Sequence, residues 1–126
     1  MLYAILCYND ETVTCAWSKE QDDAVMARLA VVQDKLTKQG RLGPVARLLP
    51  TTAATTLRKD CEPPLVIDGP FAETKEQLLG FYVVDCASLD EALGIARELA
   101  AANPGGAYEI RPIAFYLPGT AAREPA

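Results

Sequence analysis

The apolar and polar residues of this chain alternate in a way that predicts strands and helices in turn. An apolar run over residues 3–8 predicts a buried first strand. Ser18 and Gln21 have the spacing of a capping box, in which each side chain satisfies a backbone donor of the other residue, so a helix is predicted to start there. Its apolar residues recur at helical spacing, as Val25, Leu29, Val32 and Leu36. Gly40 predicts the end of the helix.

The middle of the chain predicts four further strands. Three short segments fit strands at residues 42–49, 54–59 and 65–68, and residues 60–63 form the connection of a hairpin. Residues 79–86 form the clearest strand, because aromatic and β-branched side chains dominate the segment.

The last third of the chain repeats the strand-helix-strand order. A second capping box at Ser88 opens a helix that is predicted to stop at Asn103, and residues 108–116 predict the final strand. Residues 1–117 are therefore expected to form a single domain, and the small, polar residues 118–126 a flexible C-terminal tail.

This order predicts an α+β domain with a ferredoxin-like βαβ-βαβ arrangement and an extra hairpin. Right-handed crossovers place both helices on one face of the sheet. The first strand is apolar on both sides, since Tyr3 and Ile5 alternate with Ala4 and Leu6. One apolar face is left without helices, and such a face usually marks an interface. We therefore expect a homodimer that stacks sheet on sheet, because two-fold symmetry is the commonest arrangement of identical chains.

The charge of the chain argues against two classes of partner. The net charge is −5 and the isoelectric point is near 4.7. Nucleic acids and anionic membranes would repel such a chain, so neither is expected to bind. The apolar N terminus lacks a basic flank and is too short to span a bilayer. No membrane partner and a cytoplasmic location are therefore expected.

The cysteines do not predict a metal site or a cofactor. The four cysteines are Cys7, Cys15, Cys61 and Cys86; they contain no C-x-x-C pair, and the chain has no histidine. A structural zinc site needs four sulfur or nitrogen ligands at characteristic spacing. No metal and no cofactor are therefore predicted.

The composition of residues 68–74 is not explained by packing in a hydrophobic core. Asp68 follows an apolar strand and precedes Gly69 and Pro70. Proline has a fixed φ and biases the residue before it towards extended backbone, so the carboxylate is held on a stiff segment. Asp68 is the candidate catalytic residue, acting as a general base. The alternative is a structural role, in which its carboxylate accepts hydrogen bonds from the backbone beyond Gly69.

Three candidate ligand-binding residues follow in the same segment. Glu73, Thr74 and Lys75 either line a cleft or stabilise the turn, and Thr74 to Gln77 has capping-box form, which predicts one helical turn.

The other candidates lie on strands. Arg111 either holds a carboxylate ligand or forms an ion pair with Glu109. Tyr8 and Tyr82 either supply the aromatic wall of a cleft or belong to the core.

Residues 68–78, with the Gly-Phe-Tyr sequence at 80–82, resemble the signature of the DGPF proteins, a branch of the YCII-related superfamily. The resemblance extends in order from Tyr8 to about Ile113, with Leu79 where relatives often have glycine. It implies a dimeric α+β barrel with a cleft for a small ligand between sheet and helices. Functions in this family are mostly unassigned, and the domain also occurs attached to some sigma factors.

The wider superfamily includes a dechlorinating enzyme of aromatic catabolism, and an aspartate–histidine pair is its suggested catalytic unit. This chain has no histidine, so only the aspartate half has a counterpart, Asp68.

Two functions follow as hypotheses. The first is a small-molecule binding module or an accessory or regulatory module, with a cleft near Asp68. The second is a cofactor-free enzyme of lyase, isomerase or dehalogenase type on a small organic acid or aromatic compound. There Asp68 would move a proton, and Arg111 or Lys75 would steady an anion.

Overall fold

A computed structural model describes residues 1–121 of the chain. Its strands are β1 (Leu2–Asn9), β2 (Leu42–Arg47), β3 (Thr55–Arg58), β4 (Leu65–Asp68), β5 (Gln77–Asp85) and β6 (Ala107–Pro112). Its helices are α1 (Glu11–Thr14), α2 (Lys19–Lys38) and α3 (Leu89–Ala102), and a 3-10 turn spans Thr51–Ala53. No helix of the described residues is long and apolar enough to cross a membrane.

Four strands form one antiparallel sheet in the order β2-β5-β1-β6. Each βαβ unit thus has another strand between its two strands, which is the ferredoxin-like order expected from the sequence. β1 is a central strand, and its register places Cys7 opposite Gly80 on one side and Tyr108 on the other.

The two long helices begin where their caps predict. In α2, Ser18 accepts from the backbone of Gln21, and the Gln21 side chain accepts from the backbone of Ser18, so both halves of the capping box form. In α3, Ser88 accepts from the backbone of Glu91, but the Glu91 carboxylate accepts from the Ala87 backbone instead.

The core lies between one face of the sheet and the two helices. Its most deeply buried side chains come from all these elements: Ile5, Leu36, Val84 and Leu99. Burying apolar side chains of this size stabilises the fold by about 1.5–3 kcal/mol each. The other face of the sheet carries no helix, and its side chains Ala4, Leu6 and Phe81 are half-buried.

Strands β3 and β4 form a separate two-stranded sheet, here called the arm. An isolated hairpin is only marginally stable in water. The arm nevertheless exposes apolar side chains on both of its faces, since the adjacent β4 residues Val66 and Ile67 are 69% and 45% exposed. Phe71, just beyond β4, is 73% exposed.

The last strand is shorter than the sequence predicts. The prediction extended to residue 116, whereas β6 ends at Pro112. Its partner β1 begins at Leu2, whose carbonyl accepts from Ile113, so the residues beyond Ile113 find no further backbone partner on that strand. Residues 118–121 of the predicted tail are exposed and irregular, and residues 122–126 lie outside the described part.

The turn predicted at Thr74 to Gln77 is not helical. Gln77 is the first residue of β5 and pairs with Asn9, so its backbone is extended. Its side-chain amide donates to the carbonyl of Thr74 and its amide oxygen accepts from the backbone of Glu11. Pairing with β1 therefore replaces the local cap.

Gly80 is required by the close approach of β2. A β-carbon at Gly80 would lie 2.5 Å from the carbonyl oxygen of Ala46, which is backbone and cannot rotate away. The glycine thus allows β2 to pair closely with β5 beside the helices.

We expect Gly80→Ala to destabilise the fold by about 1–3 kcal/mol, because the new methyl group overpacks the β2–β5 contact. Urea unfolding measures this change. Gly94→Ala is the matched control: it lies within α3 with nothing within 4 Å of the added β-carbon, so we expect stabilisation of about 0.5–1 kcal/mol. A neutral Gly80→Ala change would contradict the close approach.

Candidate functional site

The principal cavity lies between α2 and one end of the sheet and has a volume of about 420 Å³. This is within the size range of small-molecule sites. Helix α2 supplies Val25, Met26 and Leu29, and β2 and the residues after it supply the stretch 45–50. The sheet contributes Cys7, Gly80, Tyr82 and Tyr108.

The cavity lies at the end of the sheet where Cys7 pairs with Gly80. At the other end of the sheet, Leu36 and Leu99 are completely enclosed. The first half of α2 supplies the opposite wall of the cavity.

The charged groups that line the cavity already have partners. Arg47 binds Asp22 through two hydrogen bonds of 2.9 and 3.2 Å. The carboxylate of Glu11 accepts from the backbone of Thr51 at 2.6 Å and also from its hydroxyl. The remaining lining is mainly apolar and includes Trp17.

Glu11 also connects the cavity to the arm. Its own backbone donates to Gln77 at the start of β5, while its carboxylate holds Thr51 at the start of the segment that leads into the arm. Both ends of the segment that carries the arm therefore meet at one cavity-lining residue.

Three weakly acidic groups lie on the sheet side of the cavity. Burial raises the pKa of Cys7 to about 12 from an ordinary 9.0, and that of Tyr108 to about 12 from 10.0. Burial also raises the pKa of Tyr82. The negative charges of ionised Cys7 and Tyr82 would further raise the pKa of Tyr108, so the three groups are close enough to interact. All three are neutral at pH 7.

Amide side chains from the helical layer approach the two tyrosines. The side-chain amide of Asn103, which follows α3, donates to the hydroxyl oxygen of Tyr108 at 3.4 Å. The side-chain oxygen Oδ1 of Asn103 is buried without a partner among residues 1–121. A hydrogen bond from the Gln33 side chain lowers the pKa of Tyr82 and so opposes the larger rise that burial causes.

Two of the residues predicted from the sequence line the cavity. These are Tyr8 and Tyr82, and the structure brings both beside the same space. Tyr82 is also part of the core, so the two roles that the sequence left open for it coexist.

Asp68 lies elsewhere. It is the last residue of β4 in the arm, it is exposed, and it is not part of the cavity lining. The hydrogen bonds expected from the backbone beyond Gly69 are not formed within the part of the chain that the structure describes. The turn is held instead by Gly69, whose N–H donates to Ala54 and whose carbonyl accepts from Thr56.

Gly69 itself differs from the expectation of ordinary extended backbone. Its φ is +104°, a region that side chains other than glycine rarely adopt. Backbone geometry therefore explains the glycine of the Asp-Gly-Pro sequence.

Glu73, Thr74 and Lys75 are exposed and lie outside the cavity lining. The hydroxyl of Thr74 donates to the carbonyl of Glu76. The pKa of Asp10 is lowered by hydrogen bonds from Thr12 and, more weakly, by the charge of Lys75, which places Lys75 near the start of α1.

Arg111 pairs with Glu109 on the face of the sheet without helices. The register sets Arg111 beside Ala4 and Glu109 beside Leu6. The two side chains form an ion pair, which raises the pKa of Arg111. Arg111 is also outside the cavity lining, so the structure shows the ion-pair alternative.

Sequence reasoning missed most of the residues that line the cavity. Cys7 and Tyr108 fall within predicted strands and Asn103 at a predicted helix end, and no sequence pattern singles out Gln33. A usable signal was the small residue at Gly80 within a strand of large side chains, which indicates a close approach or a space. No group of three or more metal-ligating side chains forms within residues 1–121.

Comparison with known proteins identifies relatives of the chain. The model of the YCII-related domain family matches residues 1–115, which confirms the resemblance seen in the sequence. An uncharacterized protein of Rhizobium meliloti (strain 1021), R00369, is 67% identical over 120 residues, covering 94% of this chain and 97% of that protein.

The free energy of unfolding is expected to fall as the pH rises from 9 towards 12. In the folded chain the pKa of Cys7 and that of Tyr108 are about 12, above the ordinary values of 9.0 and 10.0. Below about pH 8 both groups are protonated in the folded and the unfolded chain, so they do not make the free energy of unfolding depend on pH. Above this pH the unfolded chain ionises first, which favours unfolding. Urea unfolding at several pH values measures the slope.

Tyr108→Phe should make this alkaline fall less steep, because one of the two groups no longer ionises. Tyr116→Phe removes a hydroxyl outside the cavity lining and should follow the parent chain. Equal slopes in the parent and Tyr108→Phe would contradict the raised pKa of Tyr108.

Proposed function

We propose that this chain, which belongs to the YCII-related domain family, is a homodimeric small-molecule-binding module whose ligand occupies the cavity between α2 and the sheet. The observation that carries the proposal is the cavity itself, about 420 Å³ in volume and lined by apolar side chains with a few polar groups. Sites of this composition bind small organic molecules: apolar surface supplies affinity, and a few polar groups set orientation.

The lining favours binding over chemistry. The carboxylates at the cavity, Glu11 and Asp22, are engaged by Thr51 and Arg47. The Cys7 thiol has its pKa raised to about 12, so it is protonated and a weak nucleophile at pH 7. These three groups are therefore poorly suited to act as a general base or an activated nucleophile.

The surface area of the chain supports the homodimer. The chain exposes 9023 Å², whereas a compact monomer of its mass exposes roughly 6,600 Å². Even if residues 118–126 are counted with the surface area of a fully unfolded chain, they account for only roughly 1,200 Å² of this excess. More than about 1,000 Å² remains, which exceeds the roughly 800 Å² that each partner buries in a standard interface.

Two apolar surfaces are available for the second copy. One is the sheet face without helices, with Leu6 and Phe81 half-buried, and the other is the arm, with Val66 and Phe71 exposed. Stacking two such sheets face to face would give the dimeric α+β barrel that the family resemblance implies. The arm would gain from its partner the packing that a two-stranded sheet lacks alone.

The enzyme hypothesis places the chemistry at Asp68. Within one protomer Asp68 is exposed at the end of the arm and outside the cavity lining. The binding hypothesis and the enzyme hypothesis therefore predict different effects of the substitution Asp68→Asn on ligand affinity.

A thermal-shift screen of the purified protein against a metabolite library should yield ligands that raise the melting temperature. A ligand present at 100 times its Kd stabilises the folded state by about 2.7 kcal/mol. The same ligands should change the fluorescence of Trp17, because this is the single tryptophan of the chain and it lines the cavity.

Asp68→Asn should bind these ligands as the parent does. Ligands that raise the melting temperature, leave Trp17 fluorescence unchanged and lose affinity tenfold in Asp68→Asn would place the site at the arm instead. A screen without any ligand would contradict the binding function.

Light scattering after size-exclusion chromatography should give about twice the 13.6 kDa of one chain at micromolar concentration. A charge placed in the interface should weaken the dimer, so Val66→Lys is expected to shift it towards monomer. Burying an unpaired charge costs several kcal/mol.

Val31→Lys is the matched control for Val66→Lys. Val31 is a valine of α2 with 70% exposure, almost equal to the 69% of Val66, and it lies outside the proposed interface. It should leave the dimer intact. A monomeric parent would exclude the dimer, and a dimeric Val66→Lys would exclude the arm from the interface.

A further inference from the structure

Tyr82 presents a hydrogen-bond donor beside the cavity. The residue is only 6% exposed. The Gln33 side chain lowers the pKa of Tyr82 through a hydrogen bond, which means that Gln33 donates to the hydroxyl oxygen, and the hydroxyl hydrogen is still available to an acceptor. Buried tyrosine hydroxyls normally find a partner. The side chain also lines the cavity, so the space next to it is where an acceptor would have to come from.

Tyr108 presents a second donor on the same side. Its hydroxyl oxygen accepts from Asn103, which leaves the hydroxyl hydrogen available, since a hydroxyl both accepts and donates. In the sheet, Tyr108 pairs with Cys7 and Tyr82 pairs with Ile5. Cys7 and Ile5 are two residues apart on β1, so their side chains lie on the same face of the sheet. The two tyrosines therefore stand on the strands either side of β1.

Cys7 lies on β1, between the two strands that carry these tyrosines, and its side chain is small. It lines the same cavity, so a ligand there can approach the sheet between Tyr82 and Tyr108.

The cavity favours a neutral acceptor over an anion. The cation of its lining within the described residues, Arg47, is engaged in two hydrogen bonds with Asp22. A carboxylate ligand would have to enter a mainly apolar space without a free counter-charge, which is costly. A carbonyl oxygen has two lone pairs and no charge, so it can accept from both hydroxyls at little desolvation cost.

We propose that the cavity ligand is a neutral, mainly apolar carbonyl compound whose oxygen accepts hydrogen bonds from Tyr82 and Tyr108. This proposal rests on the binding function proposed above and specifies the chemical class of the ligand. The tyrosines act here as orienting and selecting groups, and the apolar lining around Trp17, Met26 and Leu29 holds the rest of the molecule.

Three probes of similar size test the proposal: acetophenone, ethylbenzene and benzoate. Their Kd values are measured at pH 7 by titrations followed through the NMR signals of the probes. Acetophenone should bind at least about fourfold more tightly than ethylbenzene, since each of its two proposed hydrogen bonds corresponds to roughly a two- to tenfold change in affinity. Benzoate should bind more weakly than acetophenone.

Tyr82→Phe and Tyr108→Phe should each weaken acetophenone roughly two- to tenfold and leave ethylbenzene unchanged, because only the hydroxyl is removed. The double variant should lose the preference for the ketone. Tyr116→Phe, outside the cavity lining, is the matched control and should bind all three probes as the parent does. Circular dichroism confirms that each variant is folded.

Each other outcome decides against the proposal. Tightest binding of benzoate would show a site for anions. A ketone preference that survives in the double variant would show that the tyrosine hydroxyls do not select the ligand. Equal binding of all three probes would overturn the carbonyl proposal but leave the binding function intact, whereas failure of every probe, together with an empty library screen, would overturn both.

Discussion

The antiparallel pairing of β1 with β5 and β6 is the constraint on which the remaining structure depends. Because β1 is central, its register fixes which side chains face the helices and which face away. It sets Ile5 among the completely buried core residues and sets Cys7 between Gly80 and Tyr108. A shift of one residue would exchange the two faces, since successive side chains of a strand point to opposite sides.

The same register divides the helix-facing side into a filled end and an open end. At the filled end, Leu36 and Leu99 pack on Ile5 and Val84 without leaving accessible surface. At the open end, where Cys7 pairs with Gly80, the cavity lies under the first half of α2. A cavity costs stability because its lining loses contacts. Its retention beside neutral hydrogen-bonding groups is consistent with a binding role.

The cavity is not independent of the arm. Glu11 lines the cavity, accepts from Thr51 before the arm and donates to Gln77 after it. The Asp-Gly-Pro segment, residues 68–70, lies at the end of β4, where Gly69 takes a positive φ and its backbone bonds to Ala54 and Thr56. The most recognisable stretch of the sequence thus shapes the arm, while the enclosed space lies elsewhere.

The sequence by itself determined the two long helices, the strand order and the family. The start of α2 depends on hydrogen bonds between Ser18 and Gln21, three residues apart. Such a local feature, like the apolar periodicity of the helix, can be recognised from neighbouring residues in the sequence. The cavity could not be read in this way. Cys7, Tyr82 and Tyr108 are far apart in the chain, and only the pairing of β1 with both neighbours brings them together. Asp68 was identified from the sequence because its neighbours Gly69 and Pro70 restrict the backbone. Its position outside the cavity lining depends on where the arm leaves the sheet, and this is decided by non-local strand pairing and packing.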